Sequence, residues 1–325
     1  MLHNDKELFE QLVFKTSEVL GIEASIIEKD YFVTLFLKQI VEKNPNIIFK
    51  GGTSLSKCYK IINRFSEDID LTLKVEEGDK PSESQRKNLK KSIVETIENL
   101  DFTLTNPEKQ LSRRDYNKYI IDYPSIFEAD FLKQHLIVET AVHIKSYPCE
   151  KMTASSFIYD FLIEGGYDEL ITKYKLEPFP LNVQTAQRTF VDKIFALGDY
   201  YLNGQIQEHS RHIYDLYQLS KIVDVDDNLK QLIKDVKESR QKYKHALSSQ
   251  ENVDVAMLLQ EIIDKDIYKE DYNSITLSLL FEKVEYSTAI EVLKQIANEI
   301  RKEKIDTAAE KLIDENTEAL SKLGE

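Results

Sequence analysis

At 325 residues, 42% hydrophobic and 31% charged, the chain is long enough to bury a full core and to hold two domains, or one with a long appendage. No stretch has the length and apolarity of a membrane span, and His3, Asn4, Asp5, Lys6 and Glu7 break up any N-terminal apolar run, so neither a spanning helix nor a secretory leader is expected. The net charge of −14 argues against indiscriminate binding to polyanions.

The two cysteines, Cys58 and Cys149, lack metal-ligand spacing and read as ordinary thiols of a cytoplasmic protein. Charge is distributed unevenly. Residues 50–118 carry 14 Lys and Arg against 12 Asp and Glu, whereas residues 222–325 carry 15 against 23. The basic positions of the first region are Lys57, Lys60 and Arg64, then Arg86, Lys87, Lys90 and Lys91, then Arg113, Arg114 and Lys118. They admit a nucleic acid contact, although solvated helix faces account for most such lysines.

Two amphipathic helices are expected first. One stripe is Leu8, Leu12, Val13, Val19 and Leu20, and the other is Ile27, Tyr31, Phe32, Leu35, Leu37 and Ile40. A short apolar strand, Ile47–Lys50, then runs into Gly51 and Gly52. Glycines allow a tight turn with no Cβ in the way of a ligand. The next helix is expected to start near Thr53 or Ser54, both good N-caps. On the following strand, alternation puts Asp68, Asp70 and Thr72 on one face and Ile69, Leu71 and Leu73 on the other. Two carboxylates on a strand beside a phosphate-cradling turn suit Mg²⁺ carrying a nucleoside triphosphate.

Gly78 to Pro81 break the chain, Ser82–Leu100 reads as a charged helix, and strands are expected at Asp101–Thr105, Tyr116–Tyr123 and His135–Ser146. The last of these places Ile137, Glu139, Ala141 and His143 on one face. Glu139 is the leading third carboxylate, because an acid on an apolar strand is costly unless paired or metal-bound. Pairing with Lys145 or a nearby arginine would satisfy it equally. Asp122 and Asp130 are its rivals, and His143 is the weaker ligand because Mg²⁺ prefers oxygen donors. Pro148, Gly165, Gly166, Pro178 and Pro180 punctuate the middle of the chain, and beyond them the pattern reads as helical to the end. There Ile290, Leu293, Ala297 and Ile300, with Ile296, form a stripe that reads as an ordinary core-facing helix.

The run Phe49-Lys50-Gly51-Gly52-Thr53-Ser54-Leu55-Ser56-Lys57, preceded by Glu28-Lys29-Asp30-Tyr31 and followed by Arg64-Phe65-Ser66-Glu67-Asp68-Ile69-Asp70-Leu71, resembles the polymerase-β-like nucleotidyltransferase signature. More narrowly, it resembles AbiEii/MenT-type toxins of bacterial toxin–antitoxin and phage-defence systems. The 15 residues between Gly52 and Asp68 are as expected for that branch. Two downstream runs, Arg188–Leu197 and Arg211–Leu219, look like the family's later motifs. The resemblance implies that Lys193 contacts the triphosphate and that Asp215 is essential across the cleft, with Asp192 standing where the family usually has Glu. Read by themselves, Lys193 is a lysine snorkelling from an amphipathic helix and Asp215 an i,i+4 partner of Arg211.

The expected fold is α/β (α+β). A mixed-sheet nucleotidyltransferase core with N-terminal helices spans 1–148, and a helical lobe carrying Lys193 and Asp215 spans 149–325. The expected nucleotide-binding residues are Gly51, Gly52, Thr53, Ser54, Lys57 and Lys193, and the expected Mg²⁺ (or Mn²⁺) ligands are Asp68, Asp70 and Glu139. An acceptor hydroxyl would attack the NTP α-phosphorus with pyrophosphate leaving. The resemblance implies a toxin modifying an RNA such as the tRNA 3′ end, restrained by a cognate antitoxin and acting away from membranes. A protein or small-molecule acceptor, or a non-catalytic nucleotide-binding role, are the alternatives.

Overall fold

Helix α1 (Lys6–Leu20) begins where the Asp5 carboxylate accepts the Leu8 amide and ends at Gly21, which takes the left-handed conformation that favours glycine. Its buried stripe is Phe9, Leu12, Val13 and Thr16, which shares Leu12 and Val13 with the expected one and stops a turn sooner, and Val19 and Leu20 are exposed. Helix α2 (Ala24–Lys43) buries 11 of its 20 residues, Glu28 and Lys29 among them. The structure is a computed structural model describing residues 1–64, 66, 68–75, 81–109, 115–127, 134–142 and 147–301.

The chain divides into two compact units, Met1–Arg188 and Thr189–Glu325. In the first, β1 (Ile47–Lys50) leads directly into α3 (Gly51–Lys57), followed by β2 (Asp68–Leu73) and α4 (Glu83–Asn99). A capping box fixes the start of α4: Ser82 accepts from the Gln85 amide while the Gln85 side chain accepts from the Ser82 amide. Next come β3 (Thr103–Leu104), β4 (Tyr116–Asp122), β5 (His135–Ala141), β6 (Cys149–Ala154), α5 (Phe157–Glu164), α6 (Asp168–Tyr174) and β7 (Phe179–Gln184).

The seven strands form one mixed sheet in the order β3-β4-β5-β2-β1-β7-β6. Here the structure departs from the expected boundary at residue 148. β7 pairs parallel with β1, and β6 pairs antiparallel with β7. Residues 149–188 therefore complete the first unit's sheet and pack helices on its core instead of opening a helical lobe. The core lies between the sheet and α1, α2, α4 and α5, where Ile69, Leu71, Val138 and Phe36 are fully buried. Burying these residues leaves the alternate positions of β2 and β5 for the other face, which carries the acids.

The second unit is helical. After α7 (Ala186–Leu202) come α8 (Arg211–Leu219), α9 (Asp227–Gln241), α10 (Val255–Asp264) and a helix over 286–301. Leu293, Ile296, Ala297 and Ile300 are buried, as the stripe predicts. The approach to α8 is clasped by Asp271, which accepts the amides of Glu208 at 2.8 Å and Ser210 at 3.0 Å. Among the described residues, no helix is long and apolar enough to cross a membrane.

Candidate active site

In the first unit the site is a row of charges set by strand register. Lys50 lies opposite Asp70, Asp70 opposite Glu139, and Glu139 opposite Lys118. Asp68 points to the same face two residues before Asp70, and both are partly exposed while Ile69 between them is buried. Glu139 thus stands beside Asp70, and its Oε1 accepts from Lys118 Nζ at 3.0 Å. Tyr116, on the same face of β4 as Lys118, completes the cluster. Burial, then Glu139, Asp70 and Asp68, raise its phenol above the ordinary range. The alternation of β4 carries the signal for Tyr116, which a reading confined to acids passes over.

Asp122 falls four residues along β4 from Lys118, opposite His135 and away from Asp70. Asp130 and His143 lie outside the described residues, as do Arg113 and Arg114. On α4, Lys87 pairs with Glu83, Lys91 with Glu95, and Arg86 with Asp115. The two exposed i,i+4 pairs contribute only about 0.3–0.5 kcal/mol each.

The glycine turn abuts this row. Gly51 has φ +78°, and a Cβ there would overlap the Asp70 carboxylate. Helix α3 starts at Gly51, earlier than Thr53 or Ser54, because those hydroxyls donate rather than cap. Ser54 Oγ donates to Gly51 O at 2.8 Å, and Thr53 Oγ1 donates to Asp68 O at 2.5 Å. Thr53 thereby ties the turn to the aspartate strand.

Lys57 takes a different place from the one expected for a phosphate ligand. It is 5% exposed, and its ammonium donates to Asp30 Oδ1 at 2.6 Å and Thr34 Oγ1 at 2.5 Å. Asp30 Oδ2 also accepts the Phe157 amide at 2.9 Å, and burial raises its pKa although Lys57 opposes the shift. Glu28 accepts from Ser125 Oγ and the Ile126 amide at 2.6 and 2.7 Å. Within the Glu28–Tyr31 run, Asp30 thus holds Lys57 and Glu28 holds the 125–127 backbone. Cys58 and Cys149 are free thiols, and burial pushes Cys58 up to about 12.

In the second unit, α7 and α8 bring Lys193 and Asp215 together, with Nζ to Oδ2 at 2.5 Å; Lys193 is 5% exposed and Asp215 fully buried. Asp192 precedes the lysine and is half-buried. His212 lies in the fields of Lys193, Arg211 and Asp215, and burial holds its pKa well below the ordinary value. The His209 ring stacks on Tyr200 with centroids 3.4 Å apart.

Among the described residues no three His, Cys, Asp or Glu side chains converge as a self-sufficient metal site. Mg²⁺ is usually held by one or two carboxylates plus substrate phosphates, so Asp68 and Asp70 suit it as a hard-oxygen pair.

A carboxylate row on a mixed sheet, abutting a glycine turn built for close approach, is the equipment of a nucleotidyltransferase. Residues 35–313 match the sequence profile of the family described as nucleotidyl transferase AbiEii toxin, type IV TA system. The chain belongs to that family and is a nucleotidyltransferase, and an NTP is its substrate. The family comprises toxins of type IV toxin–antitoxin systems, whose counterpart is an antitoxin. No curated protein matches the chain.

Proposed function

We propose that the chain transfers a nucleoside monophosphate from an NTP to the terminal hydroxyl of an RNA, tRNA 3′ ends foremost, in the cytoplasm. The observation that carries this reading is the Lys50–Asp70–Glu139 row abutting the Gly51–Gly52 turn, which sets acids for a hard cation directly against two residues without side chains.

Asp68 and Asp70 would hold Mg²⁺ or Mn²⁺, with Glu139 alongside. Bound there, the cation would offset charge on the phosphates and lower the pKa of the attacking hydroxyl. Thr53 and Ser54 brace the turn through their hydroxyls, so neither hydroxyl is its proposed phosphate contact. Lys193, held by Asp215, is the proposed counter-charge for the triphosphate as pyrophosphate leaves. The excess of basic residues over 50–118, against an acidic remainder, supports an RNA acceptor chosen selectively.

The test is incubation with each α-labelled NTP, Mg²⁺ and total RNA at two salt concentrations. Label on tRNA-sized RNA, weaker at high salt and at Lys90→Glu/Lys91→Glu, is expected. Label confined to protein, or undiminished without RNA, overturns the RNA acceptor in favour of a protein hydroxyl.

A further inference from the structure

The sequence offered Lys57 as the cation at the glycine turn, and the structure takes it up in the Asp30–Thr34 clasp. Lys118 likewise pairs with Glu139, and Lys60 with Asp160. A different cation lies against the turn. If Gly52 carried a Cβ, that atom would stand 2.6 Å from Arg64 Nη2 and 2.8 Å from Ser66 Oγ. Gly52 has no positive φ to explain a glycine, and what a side chain there would have to displace is the guanidinium and hydroxyl lying over its Cα. Ser66 Oγ is in turn 3.0 Å from Thr53 Oγ1, which ties the same turn to Asp68. Arg64 is only 3% exposed, so its guanidinium is held in place by the surrounding fold instead of sweeping through solvent.

We propose that Arg64 is a phosphate-binding residue of the nucleotidyl-transfer site, gripping the triphosphate of the NTP at Gly52. This rests on the nucleotidyl-transfer reading above and adds a residue to it. The chemistry fits the position. A guanidinium presents five N–H donors in a rigid plane, so one such group can satisfy an acceptor of the fold and a phosphate together, and its fork matches two phosphate oxygens. An ammonium on a flexible stem would bring the charge without the fork. The absence of a side chain at Gly52 then lets Arg64 and the phosphate meet over bare backbone.

The experiment measures binding of an α,β-methylene NTP analogue, the matching nucleoside monophosphate and the free nucleoside, by calorimetry on the full chain. Variants are Arg64→Gln, Arg64→Lys and Gly52→Ala, with thermal melting as the check on folding. Arg64→Gln is expected to raise the Kd of the triphosphate analogue roughly 10- to 100-fold, the range of a lost hydrogen bond to a charged group. It should leave nucleoside affinity unchanged. Gly52→Ala should reproduce that loss with Arg64 still in the chain, because the added methyl displaces the guanidinium. The double variant should then be no worse than the weaker-binding single one, since both remove the same contact. Arg64→Lys should recover only part of the affinity. Where Arg64→Gln fails to fold, Gly52→Ala and Arg64→Lys carry the comparison. Wild-type affinity for the triphosphate in Arg64→Gln and Gly52→Ala, or equal losses for triphosphate and nucleoside, overturns the assignment to Arg64 alone. A wild-type chain that binds none of the four NTP analogues overturns the nucleotidyl-transfer reading with it.

Discussion

Replacing Asp215 with leucine removes the carboxylate to which Lys193 donates at 2.5 Å, in a setting where Asp215 is fully buried and Lys193 is 5% exposed. Water has little access to screen the ammonium once this carboxylate is gone, so the loss falls in the range for breaking a buried ion pair from one side, about 3–5 kcal/mol. For a unit the size of Thr189–Glu325, each kcal/mol lowers the melting temperature by about 3 °C, so a drop on the order of 10–15 °C is expected in Asp215→Leu. Lys193→Met should cost a comparable amount by taking the ammonium away from the buried carboxylate. The double variant Lys193→Met/Asp215→Leu puts two apolar side chains face to face, and such replacements are often neutral or stabilising. Its melting temperature should return to near wild type. Nucleotide transfer should be lost in all three variants, because the proposed phosphate counter-charge is missing or misplaced in each. Calorimetric melting beside a labelled-NTP transfer assay separates the two effects. A double variant that regains both stability and transfer would show that the pair only holds the fold, and single variants that melt within about 1 °C of wild type would show that burial exacts no cost there.

Two other predictions concern groups in different units. Asp68→Asn and Asp70→Asn should each abolish transfer while melting, in the absence of metal, at or above the wild-type temperature, since the substitution relieves repulsion between neighbouring acids. Measurable transfer by either variant would remove that residue from the chemistry. In the second unit, burial, then Arg211, lowers His209 from 6.5 to about 4, and burial, then Lys193, lowers His212 well below 6.5. Both are therefore neutral in the folded chain. A depressed folded-state value gives stability that is present above about pH 6.5 and lost as pH falls toward 4, and His209→Phe should flatten that slope in denaturant titrations. A wild-type stability constant from pH 7 to pH 4.5 would contradict it.

The stretch from Ile47 to Leu73 was legible because each of its signals is local. An apolar run, a glycine pair and a period-2 alternation of acids with Ile69, Leu71 and Leu73 mark a strand, the start of a helix and a second strand. Glu139 could be chosen by the same alternation, but its place beside Asp70 depends on β2 pairing parallel with a strand more than sixty residues away, and register between distant strands leaves no mark in either sequence. β6 and β7 were missed for a related reason. β6 is an edge strand and β7 lies between it and β1, and their polar residues, such as Glu150, Lys151, Asn182 and Gln184, obscure the alternation, so the prolines and glycines around them read as a boundary when the sheet in fact continues.

The charged residues show where local reading stops. Lys57 and Arg64 lie seven positions apart, flank the same turn and are both almost fully buried. Nothing near Lys57 in the sequence says that its ammonium will be claimed from below. Asp30, 27 positions upstream, and Thr34 decide that, because the turns of α2 that carry them pack under α3. Burying a lysine without such acceptors would be costly, so the clasp and the burial are one decision made by tertiary packing. Arg64 differs in that its terminal nitrogen lies against Gly52, where a side chain would meet neighbours without any strain in φ. That distinction is between two glycines as much as between two cations. Gly51 is required by its backbone conformation and by Asp70, Gly52 by Arg64 and Ser66, and a sequence writes both with the same letter.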